Sequence, residues 1–128
     1  MPSYRYHHIH LISPDPLKTS DFYEKTFGAR KISVEKMDAG AMVSLELGGG
    51  IIGIMPPRKQ ALLPTAGGAV YGIEHFALKT DNLEQAAAEL KAKGIVFVKD
   101  IIQPKPGFKT SFLVAPENVL IELMEQND

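Results

Sequence analysis

The sequence predicts an α+β fold: two tandem βαβββ units whose curved mixed sheets surround a shared cavity. Three observations predict it. An alternating, strand-like stretch followed by a capped helical pattern occurs twice, at 4–28 and 73–94. Short apolar stretches with strand character follow each helix, separated by turn residues. The two halves also match in order when counted residue by residue.

"YRYHHIHLIS" (4–13) alternates as a strand. Tyr4, Tyr6, His8, His10 and Ile12 share one face; His7, Ile9 and Leu11 share the other. "SPDP" breaks the pattern, with Asp15 as N-cap and Pro16 at the first helical position. "LKTSDFYEKTFG" is a short helix with Phe22, Tyr23 and Phe27 on its buried side, stopped by Gly28. Strands are predicted at 30–36, 41–47 and 51–55, with "GGG" (48–50) turning between the last two. The Pro- and Gly-rich stretch that follows is a linker at about 57–70, leaving unit 1 at about 1–56 and unit 2 at about 71–128.

The second unit repeats the plan. A strand at 73–80 leads to Asp81 as N-cap, with Glu84 three residues on as in a capping box. Leu83, Ala87 and Leu90 form a helical face, and Gly94 closes it. Strands follow at 95–101, 110–114 and 119–125, the last two joined at "APEN".

Placing His8 over His75 tests the repeat. Leu11 and Leu78 each lie three residues on. Asp15 and Asp81 follow the histidines by seven and six residues. Leu17 and Leu83 each precede the closing glycine by eleven residues. "IGIM" (52–55) falls over "IELM" (121–124). If one helix covers one face of each sheet, alternation leaves His8, His10, Ile51, Gly53 and Met55 on the opposite face in unit 1. In unit 2 that face carries His75, Ala77, Leu120, Glu122 and Met124. With these faces inward, His8, His10, His75 and Glu122 point into the cavity. A carboxylate between Ile121 and Leu123 needs a partner, because an unpaired buried charge is costly.

Composition narrows the function. The chain has 128 residues, 45% of them hydrophobic, which suits one domain with a proper core. Its formal net charge of −1 gives no basic excess for phosphates, so no nucleic-acid partner is expected. The absence of cysteine excludes disulfides, thiolate metal sites and a cysteine nucleophile. With no apolar span or signal-like start, a soluble cytoplasmic protein with no membrane partner is expected.

"HIHLISPDPLKTSDFYEKTFGA" resembles the opening of vicinal oxygen chelate proteins, the glyoxalase/bleomycin-resistance/extradiol-dioxygenase superfamily. "YGIEHFALKTDN" resembles the start of that family's second unit, and "PENVLIELME" its final hairpin. The resemblance covers essentially the whole chain. It implies paired βαβββ units around one cavity, and commonly a homodimer. It also implies one divalent metal ion held from the first and last strands of each unit. Carried over, His8 matches the first ligand, His75 the third and Glu122 the fourth. The second falls on Gly53, which has no side chain. Glyoxalase-type relatives fill that position; extradiol dioxygenases use two histidines and a glutamate, the set left here.

Ligand chemistry agrees with that set. Two imidazoles and a carboxylate suit non-haem iron or catalytic zinc, with Mn, Co and Ni also compatible. Open positions on such an ion can take vicinal oxygens of a substrate, stabilise an enolate or bind dioxygen. The competing readings are plain. His8 and His75 could be hydrogen-bonded core histidines, and Glu122 a paired carboxylate. His10, about 7 Å along the strand from His8, is a candidate proton shuttle, outer-shell donor or substitute ligand, or simply lines the pocket. His10 and Glu122 are the catalytic candidates. His7 is expected to face away from them, and Tyr6 to pack. The glycines at 48–50 lack the helix and Lys-Ser/Thr of a phosphate loop. Arg58, Lys59, Lys105 and Lys109 are solvated loop charges or contacts to an anionic substrate.

The leading expectation is a divalent-metal-dependent enzyme acting on a small oxygen-rich substrate, as lyase/isomerase or dioxygenase. The alternative is a metal-free small-molecule binding protein that sequesters an antibiotic, of the bleomycin-resistance type.

Overall fold

Strand β1 (His8–Ile12), helix α1 (Pro16–Phe27) and strands β2 (Arg30–Met37), β3 (Gly40–Leu47) and β4 (Gly50–Met55) form the first unit. Strand β5 (His75–Lys79), helix α2 (Leu83–Ala92) and strands β6 (Phe97–Lys105), β7 (Phe108–Ala115) and β8 (Val119–Gln126) form the second. The structure, a computed structural model, describes residues 3, 5–57, 71 and 73–127. The chain divides into two compact units, Met1–Leu62 and Leu63–Asp128. The sheet orders are β1-β4-β3-β2 and β5-β8-β7-β6. In each, the first strand runs parallel to the last, and the remaining pairs are antiparallel. The fold is therefore α+β with tandem βαβββ units and mixed, open-edged sheets. Beyond Pro57 the expected linker at 57–70, with Arg58 and Lys59, lies outside the described residues, as does Tyr4.

Strand β1 is shorter than the alternation at 4–13. Its ladder to β4 begins at His8↔Ile51, just after β4 leaves its turn, so Tyr6 and His7 precede the strand. Helix α1 starts as expected: Asp15 Oδ1 accepts from the Lys18 amide at 3.2 Å, with Pro16 behind it. Its buried strip differs. Pro16, Thr19, Ser20 and Tyr23 are the buried residues, spaced i, i+3, i+4, i+7, while Phe22 and Phe27 are half-buried beside Tyr23. Small side chains at Thr19 and Ser20 let the helix sit low on the sheet, and the Thr19 hydroxyl is satisfied by Ser13 Oγ at 2.7 Å. Below it lie Val43, Leu45, Ile52 and Ile54, all essentially buried. Gly48 and Gly49, with φ of 59° and 88°, make the two-residue turn between β3 and β4.

Helix α2 is capped one residue later than the sequence suggested. Asn82, not Asp81, accepts from the Gln85 amide at 3.1 Å. The reason lies in the sheet: the Thr80 amide still donates to the Met124 carbonyl at 2.8 Å, so pairing along β8 runs one residue past β5. The Leu83 amide is taken by Glu125 Oε1 at 2.8 Å, which ties the helix start to β8. At the other end Gly94, with φ of 88°, lets the Ile95 amide fold back on the Leu90 carbonyl. The core of this unit is Leu83, Leu90, Leu113, Ile121 and Leu123. Lys109 Nζ on β7 reaches Glu84 Oε1 on α2 at 2.7 Å. That hydrogen bond is the main reason the Glu84 carboxyl lies below its ordinary pKa and the Lys109 ammonium above its own.

Candidate metal and substrate site

Register fixes what shares the sheet face opposite each helix. In unit 1, Ile9, Leu11, Ile52, Ile54, Val43 and Leu45 pair across strands on the helix side. His8 and His10 therefore lie on the other side, His8 beside Ile51 and His10 beside Gly53. In unit 2, Phe76, Leu78, Ile121, Leu123 and Leu113 take the helix side, leaving His75 beside Leu120 and Glu122 beside Ala77. The face assignment made for His8, His10, His75 and Glu122 holds within each unit.

Glu122 has the partners its position demanded. Its Oε1 lies 3.2 Å from His75 Nε2, and its Oε2 accepts from the Thr110 hydroxyl at 2.6 Å. The carboxylate is largely covered, its side chain 15% exposed against 29% for His75. Phe112, Glu122's neighbour on β7, sets its ring edge-on to the His75 imidazole at 5.2 Å. Glu74 Oε1 holds His75 from the other end, 2.9 Å from Nδ1. Outer contacts thus fix both groups while Nε2 and Oε1 face each other.

Unit 1 repeats the anchoring with different chemistry. His7 Nδ1 lies 2.8 Å from His8 Nδ1. The expectation that His7 turns away from His8 is corrected: His7 precedes the ladder, so strand alternation does not govern its side chain. His7 and Glu74 occupy equivalent positions, each directly before the first residue of its parallel strand. Each reaches the Nδ1 of the following histidine, leaving Nε2 as the second nitrogen. The His8 and His10 rings are 5.6 Å apart at 71°. A Cβ added at Gly53 would lie 2.9 Å from His10 Cε1, 3.0 Å from Nδ1 and 3.2 Å from Nε2.

Each unit therefore carries a pair of donors on one face: His8 with His10, and His75 with Glu122. Among the described residues, no three His, Asp or Glu side chains form a group able to hold a metal ion. Imidazole nitrogen and carboxylate oxygen suit Zn, Fe, Mn, Co and Ni, so the donor chemistry of the pairs fits a divalent cation. Sequence reasoning missed Glu74, Thr110 and Phe112. Glu74 sits in "IEH" and could have been read from its place before His75; Thr110 and Phe112 needed the β7–β8 register.

Two sheets of the same order, each built from one βαβββ unit with a histidine on its first strand, define a fold made by duplication. The chain belongs to the Glyoxalase/Bleomycin resistance protein/Dioxygenase superfamily, whose model matches residues 5–123. It is 28% identical to YwkD of Bacillus subtilis (strain 168) over 127 residues, covering 94% of this chain and 95% of that one. The glyoxalase family protein from Enterococcus faecalis superposes with a TM-score of 0.73 at 24% identity, covering 94% of this chain and 97% of that one. The genomically encoded fosfomycin resistance protein FosX from Listeria monocytogenes has a TM-score of 0.73 at 21% identity, covering 99% and 96%. Members of this superfamily bind small molecules, commonly bind a divalent metal and often form dimers. No described helix is long and apolar enough to cross a membrane.

Proposed function

We propose that the protein is a divalent-metal-dependent enzyme acting on a small oxygen-rich substrate, with His8, His75 and Glu122 as metal ligands. The observation that carries this is the His75–Glu122 pair. Its inner atoms, Nε2 and Oε1, face each other at 3.2 Å, while Glu74 and Thr110 engage the outer ones. Glu74 on the outer ring nitrogen and Thr110 on the outer carboxylate oxygen orient the pair's facing atoms, as outer hydrogen bonds orient the ligands of a cation. A pair meant to converge on a cation needs both rings and oxygens aimed.

A divalent ion bound there supplies a Lewis acid for vicinal substrate oxygens. The chain's own groups do the rest. Glu74 and His7 orient the His75 and His8 rings. The Thr110 hydroxyl fixes which carboxylate oxygen of Glu122 faces inward. Glu122 and His10 are the groups able to accept and return a proton, as lyase/isomerase chemistry requires. Dioxygenase chemistry would use the same ligands with iron. A homodimer and a cytoplasmic location complete the reading.

Metal analysis tests it on protein purified without a chelating tag. About one equivalent of Zn, Fe, Mn, Co or Ni is expected, taken up with proton release, because ligands must give up protons to bind. Less than about 0.2 equivalents, with no uptake on titration, would sink the metal reading. Saturable binding of a small molecule by such metal-free protein would establish the sequestration alternative instead.

A further inference from the structure

We propose that Lys99 selects an anionic substrate. On the face of the second sheet opposite α2, a small organic anion lies with its oxygen-bearing end at His75 and Glu122 and a carboxylate at Lys99. This rests on the reading above of His75 and Glu122 as the reacting end. Edge strand β6 supplies the geometry. Phe97, Lys99, Ile102 and Lys105 pair with Leu113, Phe112, Thr110 and Phe108. Between Phe97 and Lys99 the register shifts, with Val98 as the extra residue. Leu113 packs on the helix side, so strict alternation from Phe97 would send Lys99 to that side as well. The bulge turns Lys99 to the opposite face, beside Phe112. Two further shifts, before Ile102 and before Lys105, keep those residues on the same face beside Thr110 and Phe108.

Lys99 thereby joins a row that crosses the sheet: Ala77 on β5, Glu122 on β8, Phe112 on β7 and Lys99 on β6. Neighbouring strands lie about 4.8 Å apart, so Glu122 and Lys99 are separated by about 10 Å across the sheet, with Phe112 between them. Phe112 meets the His75 ring edge-on at 5.2 Å and offers hydrocarbon surface to the body of a ligand. No contact in the fold accounts for Lys99. Lys91 holds Asp100, Lys109 holds Glu84, and Lys105 lies over the Phe108 ring at 5.8 Å. Lys99 is exposed and makes no ion pair or hydrogen bond among the described residues. Nor does the bulge require a lysine. Unit 1 has the same shift between Lys31 and Ser33, and its row is His10, Gly53, Ser44 and Ser33. The unit 2 row carries opposite charges at Glu122 and Lys99, so an anion fits one way round, its carboxylate at Lys99 and away from Glu122.

The test is calorimetric titration of the Zn(II)-loaded full chain with two probes of one shape. Both carry vicinal oxygens on a phenyl ring: para-(hydroxyacetyl)benzoate ends in a carboxylate and para-(hydroxyacetyl)benzamide in a neutral amide. The wild type should bind the benzoate about two- to fivefold more tightly at low salt, as suits an exposed ion pair. That preference should shrink as salt is added. Lys99→Met should abolish the preference without changing Zn(II) affinity, and Lys99→Arg should keep it. Lys105→Met removes a lysine from the same face but outside the row, and should also keep it. A wild type without the preference, or a preference intact in Lys99→Met, would overturn the proposal. An equal loss in Lys105→Met would overturn it too, since a diffuse positive field would then suffice. Without Zn(II) uptake the metal reading falls, and the benzoate preference of the metal-free chain still decides for or against Lys99. Circular dichroism verifies the folding of each variant. Should Lys99→Met fail to fold, the wild type decides by NMR: the benzoate should move the Lys99 side-chain resonances more than the benzamide does, and equal or absent shifts overturn the proposal.

Discussion

The imidazole of His10 occupies the space in which a side chain at Gly53 would begin, its Cε1 2.9 Å from the position of that Cβ. Gly53→Ala should therefore displace the ring rather than the sheet. The ring is the movable end of an exposed side chain, so the stability cost is on the order of 1 kcal/mol or less, that of an off-rotamer side chain. The His10 ring resonances should shift markedly, which a histidine-labelled NMR spectrum reads. In a His10→Ala background the same substitution should cost nothing measurable, so urea unfolding of the double-mutant cycle should show coupling.

Glu74 and His75 give the second prediction. Glu74 is solvent-exposed and touches His75 Nδ1 at 2.9 Å, so its part is to orient the ring. Glu74→Ala should leave the unfolding midpoint within error but weaken metal binding by about 10–100-fold. Glu74→Gln, which keeps an acceptor, should restore part of that. Equal affinity in all three proteins would show that the contact is a surface ion pair only.

Thr110 is buried, and its hydroxyl is the donor to Glu122 Oε2 at 2.6 Å. Thr110→Val keeps the shape and removes the donor. It should cost about 1–3 kcal/mol in urea unfolding, because a covered carboxylate oxygen loses its partner. Replacing both residues, as Thr110→Val/Glu122→Leu, should recover much of the loss, since no polar atom is then left unsatisfied.

The Glu84–Lys109 bridge predicts a pH response at the edges of the range. The Lys109 hydrogen bond holds Glu84 below its ordinary value of 4.5, so its contribution is present above that pH and is lost as pH falls through the lowered value. Glu84 likewise holds Lys109 above 10.5, so that contribution is present below 10.5 and is lost as pH rises through the raised value. Both groups are exposed, so the effect on stability is small. The sensitive measurement is an NMR titration of the Glu84 side-chain carboxyl, whose midpoint should rise toward 4.5 in Lys109→Met.

The doubled βαβββ plan was legible because its signals are local and repeat. Asp15 and Pro16 mark one helix start, glycines mark both helix ends, and period-two alternation puts His8, His10, His75 and Glu122 opposite the helix face. Adjacent polar residues were less decisive. Asp81 and Asn82 are both good caps, and the choice fell to Asn82 because pairing with β8 continues through Thr80. His7 reaches His8 rather than turning from it because alternation applies only inside a ladder, and the ladder begins at His8.

The sequence by itself determined which side chains could act: a histidine on the first strand of each unit and a carboxylate on the last strand of the second, with Gly53 at the place the family resemblance gives to a further ligand. Only the tertiary structure decided what those residues meet. Thr110 and Glu74 hold the outer atoms of the Glu122–His75 pair, and His10 fills the room left by Gly53. The physical reason is register. Cross-strand neighbours are set by hydrogen-bonded pairing between segments about forty residues apart, and no local periodicity encodes which residue of one strand lies beside which residue of the other.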